Sequence, residues 1–109
     1  MNKASPGPRT VRVIGKTFSI EYVEAVDDEG NSGEHRRDDQ LIKIKLKQHP
    51  ETLRETLLHE VIHAIDEQLD LGVKEQQVHR LAIGLFQVLR ENADFVRFIT
   101  ASIPTKRGK

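Results

Sequence analysis

One hundred and nine residues are enough for one domain with a modest core and too few for two domains that each bury their own. Lys and Arg (17) balance Asp and Glu (17), so no bulk field draws the chain to nucleic acid or to a membrane surface. Hydrophobic residues at 37% stay above the composition of disorder, and the absence of cysteine excludes disulfides, thiol nucleophiles and thiolate zinc sites, so a metal here must be held by His, Asp or Glu.

The opening MNKASPGPRT has no apolar segment of a secretory signal, and no apolar run approaches a membrane span, so the reading is a cytoplasmic protein. Residues 1–8 and 104–109 read as flexible tails around a single domain at 9–103. From Arg9 to Glu24, β-formers on either side of Gly15-Lys16 predict a hairpin in which Phe18, Ile20 and Tyr22 share one face. Asp27 to Asp39 holds turn formers and charges and reads as a surface loop. In Gln40–Lys47, Ile42, Ile44 and Leu46 alternate with Lys43, Lys45 and Lys47, the pattern of a half-exposed or edge strand.

Pro50 suits the first turn of a helix and Gly72 its C-cap, which predicts a helix from Glu51 to Asp70. A second helix is expected over Lys74–Glu91, with its Leu81, Leu85, Val88 and Leu89 stripe in the core. A short third helix follows, N-capped by Asp94, carrying Phe95, Phe98 and Ile99 and stopped by Pro104. The fold class is therefore α+β: a small twisted sheet packed on the first long helix, a second long helix beside it, and a short C-terminal helix.

The first helix contains His59-Glu60-Val61-Ile62-His63, an HExxH motif. Two histidines four apart project from one helix face and reach one tetrahedral zinc, and the intervening Glu can take a proton from water on the metal. For a chain with five histidines, about 0.02 accidental matches are expected. On a helical wheel, His59 and His63 fall outside the apolar half that holds Leu57, Val61, Ala64 and Ile65, on a strip shared with Asp66 and Asp70 and rimmed by Glu60.

A catalytic zinc usually takes a third protein ligand. Asp66 is a candidate partner for an imidazole, with idle exposure the alternative. The extended metzincin pattern fails, because Asp66 and Leu69 stand where it requires Gly and His. The second helix offers Glu75 and His79, and Glu75 is the more inward of the two.

TLLHEVIHAIDEQLDLG followed by KEQQVHRLAIGLFQVLREN resembles the small metallopeptidase-like proteins of phages and prophages, and more distantly the ImmA/IrrE-type and gluzincin peptidases. The resemblance covers about residues 40–92 and is specific in the HExxH helix. It implies a zincin-like fold, Zn2+ held by His59, His63 and Glu75, Glu60 as general base, and a protein or peptide substrate. His79 stands where a supporting carboxylate is usual, which leaves open a swap in which His79 ligates and Glu75 supports. The expected activity is peptide-bond hydrolysis through metal-activated water. The alternative is a zincin scaffold that holds metal without turnover and serves as a phage or prophage partner-binding module. A nucleic-acid-associated role stands behind both, with the zero net charge against it.

Weaker candidates are Tyr22 as an oxyanion donor, His35 as a solvated side chain, and the basic pairs Arg36-Arg37 and Lys106-Arg107 as solubilising charge. If the lysine strand is an edge, it offers a β-augmentation site, and Lys43, Lys45 and Lys47 with Arg36 and Arg37 would favour acidic extended segments.

Overall fold

The computed structural model describes residues 6–24, 32–36 and 39–102. Among these, the order is β1 (Thr10–Val13), β2 (Lys16–Val23), β3 (Gly33–Arg36), β4 (Leu41–Lys45), α1 (Pro50–Leu69), α2 (Glu75–Glu91) and α3 (Ala93–Thr100), an α+β arrangement. The expectations for the chain ends, most of the 27–39 loop, Pro104, the His35 and Arg36 side chains, Arg37 and the basic end lie outside the described residues.

β1 and β2 form the expected hairpin, with Val13 opposite Lys16. Its turn residues Ile14 and Gly15 both have positive φ, 47° and 83°. This left-handed pair matches the twist of the strands it joins, and it strains Ile14, because a β-branched residue is disfavoured there. Phe18 and Ile20 face inward and are buried, and Tyr22 is half-buried on the same side.

The sheet order is β1-β2-β4-β3, with β4 parallel to β2 and antiparallel to β3. Two expectations are corrected here. The lysine-rich strand is interior, and the edge beyond it is β3, formed within the stretch read as loop. Lysine alternation arises on β4 because one face of the sheet is open. Lys43 stands in register with Glu21 of β2 and Glu34 of β3, so a cation sits between two carboxylates across the strands.

The other face packs on α1. Val13, Phe18, Ile20, Ile42 and Ile44 cluster with Leu53 and Ala64, flanked by Leu57, Val61 and Ile65. Each of the large side chains contributes about 1.5–3 kcal/mol on burial. Gln68 Nε2 donates to Val13 O at 2.8 Å, tying α1 to the end of β1.

α1 begins at Pro50, and His49 caps it by accepting from the Glu51 N–H through Nδ1 at 3.2 Å. Its C-cap is Asp70 in the left-handed conformation, whereas Gly72, expected in that role, takes a second positive φ two residues later. α2 returns along α1, with Val78 and Ala82 buried against Ile62 and the Arg90 guanidinium paired with Glu51 at 2.6 Å.

The Leu81, Leu85, Val88 and Leu89 stripe, expected in the core, is largely exposed. α1 is a single helix, and Val78 and Ala82 are the only residues of α2 that are fully buried. The N-cap position of α3 is Asn92, whose side chain makes no capping hydrogen bond, rather than Asp94, which lies in the first turn and pairs with Arg97. No helix among the described residues is long and apolar enough to cross a membrane.

Candidate metal centre

The HExxH residues lie in the middle of α1, where the helix passes between the sheet and α2. His59 and His63 are half-buried, with ring centroids 4.9 Å apart. The turn after α1 delivers the third group. Asp66 O accepts from the N–H groups of Asp70 and Leu71, and its carboxylate Oδ1 accepts from Val73 N–H at 3.1 Å. Asp66 thus closes the connection between the helices, a task different from both roles read for it in the sequence. Lys74 N–H then donates to Gln77 Oε1 at 3.0 Å, fixing the start of α2.

Glu75, the first residue of α2, therefore points at the histidine pair. His59 Nε2 donates to Glu75 Oε2 at 2.9 Å, and His63 Nε2 lies 2.7 Å from Oε1. Burial holds the His59 imidazole below its ordinary pKa against the opposing pull of Glu75. The neutral ring is the form that ligates metals. His59, His63 and Glu75 offer donor atoms within 4.8 Å of one another, a group that could hold a metal ion. The His79 ring is 6.1 Å from that of His59 and exposed to solvent, so Glu75 rather than His79 meets both imidazoles.

Glu60, read as a rim residue, is only 6% exposed. The cover comes from β3. A Cβ on Gly33 would lie 2.8 Å from Thr56 Cγ2 and 3.3 Å from Glu60 Cγ, so only a glycine lets this strand pass so close over the helix. The Gln48 side chain holds it there: Nε2 donates to Lys45 O at 2.6 Å and to Ser32 O at 3.3 Å, while Oε1 accepts from Thr56 Oγ1 at 3.1 Å. Burial first, then the charges of Glu75 and Glu34, push the Glu60 carboxyl up to about 7.

Sequence reasoning missed Gly33 and Gln48. The only trace of the former was a glycine followed by residues whose β pairing is decided by β4. Gly33→Ala is expected to cost about 1–3 kcal/mol through overpacking against Thr56 and Glu60. Urea unfolding would measure it, and an unchanged midpoint would mean that β3 yields freely.

Tyr22 does not reach the centre. Its hydroxyl donates to Pro8 O at 2.7 Å, which pins the residues before β1 against the hairpin.

Fold and site together define a small α+β domain in which two helices bring two imidazoles and a carboxylate to one point. The chain matches no family model, no curated protein and no solved structure.

Proposed function

We propose that the protein is a zinc-dependent peptidase of the zincin kind, acting in the cytoplasm on protein or peptide segments. The observation that carries this reading is Glu75 meeting the Nε2 atoms of both HExxH histidines, at 2.9 and 2.7 Å, while the intervening Glu60 is buried beside a strand edge. The donor set fits zinc. Its three donor atoms already lie within 4.8 Å of one another. Two nitrogens and one carboxylate also match a catalytic rather than a closed structural site.

When bound, the ion would acidify a water molecule and polarise the substrate carbonyl. The remaining work belongs to the chain. Glu60 would accept the proton of the attacking water on its carboxylate and return it to the leaving amine. β3 has no partner on its outer side among the described residues, so an extended peptide can pair with its backbone next to Glu60. The β4 lysines carry no part of this reading, because Lys43 alternates with the core-facing Ile42 and Ile44 and so lies on the sheet face away from α1.

The test is metal analysis of the purified protein beside His59→Ala, with peptide hydrolysis measured on both. Near-stoichiometric zinc and hydrolysis in the parent, and neither in the variant, are expected. Equal metal in the two proteins would overturn the reading. One observation favours the second reading, a metal-holding scaffold that binds a phage or prophage partner: Tyr22, the oxyanion donor that the sequence offered, is committed to Pro8. Stoichiometric zinc without turnover in intact protein would select it.

A further inference from the structure

α2 carries more apolar surface than the domain uses. Val78 and Ala82 face α1, and at about 100° per residue Leu81, Leu85 and Val88 lie to the opposite side of Val78 from Glu75 and His79. This second strip is in water, with Leu81 47% exposed. α3 adds Phe95, Phe98 and Ile99, spaced to share one helix face, and Phe98 is 82% exposed. No residue of α3 is buried, and an isolated helix of eight residues does not hold itself in water.

At roughly 200 Å² for a fully exposed large side chain, these six residues leave about 600 Å² of apolar surface, the upper end of what a monomer shows. With the neutral Gln77, Gly84 and Asn92 at its border, the footprint approaches the ~800 Å² per partner of a stable interface.

Among the described residues, nothing covers this surface. α3 leaves α2 through the single residue Asn92, and a helical hairpin needs at least about two linking residues to reverse.

Gly84 points to what does cover it. It lies inside α2 beside Leu81 and Val88, where glycine weakens a helix relative to alanine, and a Cβ added there would meet nothing within 4 Å. Nothing among the described residues needs that glycine, whereas an approaching helix from another molecule would. The strip and the free apolar helix are complementary and lie on the same chain. With zero net charge, two copies do not repel.

We propose that the protein is a twofold dimer in which α3 of each copy lies on the Leu81–Leu85–Val88 strip of the other, in the gap left by Gly84. The interface is isologous, and it leaves the flank of α2 that carries Glu75 free. It is independent of the reading of the metal centre.

Sedimentation equilibrium of the full chain between about 1 and 100 µM tests it, a range that spans typical dimer affinities. A mass twice the chain's 12.4 kDa is expected. Phe98→Glu and Leu85→Glu, both at exposed positions, should each weaken dimerisation by at least roughly 30-fold while the helical circular dichroism of α1 and α2 persists. Gly84→Leu should weaken it comparably, although the substitution favours the isolated helix. A monomer throughout the range, including one whose strip is taken by a different protein, overturns the proposal. So does a dimer that survives both Phe98→Glu and Gly84→Leu.

Discussion

Glu60→Gln is expected to leave zinc bound at the parent's stoichiometry and to lower hydrolysis by about 10²–10⁴-fold, the range attributable to a general base. The amide keeps the shape that packs against Gly33 and cannot accept a proton. A variant that loses its metal would instead place Glu60 among the ligands. The same substitution has a signature in metal-free protein. The Glu60 carboxyl is raised from its ordinary 4.5 to about 7, so between those values the folded chain binds more protons than the unfolded one. Stability therefore falls as pH rises through that window, and the full cost of the buried charge is carried above it. Glu60→Gln should flatten this slope, which urea midpoints at pH 5 and pH 8 in chelator would report. Parallel slopes in parent and variant would assign the pH dependence to another group.

Glu75→Ala is expected to have the second large effect, a loss of zinc affinity exceeding the roughly 10–100-fold typical of groups that only support a ligand. His79→Ala should stay within that supporting range. Glu75 sits at the helix start with its side chain 69% exposed, so truncation removes a donor without opening the core. In the parent, zinc at a thousand times its dissociation constant should stabilise the fold by about 4 kcal/mol, and the same zinc concentration should stabilise Glu75→Ala by about 1.4 kcal/mol or less. If His79→Ala strips the metal and Glu75→Ala spares it, the exchanged assignment is correct.

The residues whose partners are near in sequence were the legible ones. The β1–β2 turn, the Pro50 start and the HExxH pair each depend on neighbours within a few positions. What escaped depends on distant pairing. GEHR carries no β-former, and β3 exists because β4 offers it a ladder, with the small Gly33 admitting it over Thr56 and Glu60. The lysine alternation of β4 is the same for an edge strand and for an interior strand with one open face, so strand order could not be read from it. Burial of Glu60 followed from the same hidden strand. The α2 stripe satisfied the periodicity of a core helix, but periodicity states only that a face is apolar and does not supply the surface that meets it. Asp66 was read against the histidines one turn away, and its partner proved to be the backbone of the turn ahead.

The donor atoms of the centre all come from residues 59 to 75, on two helices joined by a short turn, whereas the sheet relies on the parallel pairing of β2 with β4 across residues 24–40. Closing the first of these loops costs little chain entropy, and parallel strands are the slower elements to assemble. The α1–α2 hairpin can therefore organise before the sheet has found its register. An ion taken up by that hairpin would contribute to the early part of folding, with β3 closing over Glu60 later. In such an order His59, His63 and Glu75 would come together before Glu60 is buried.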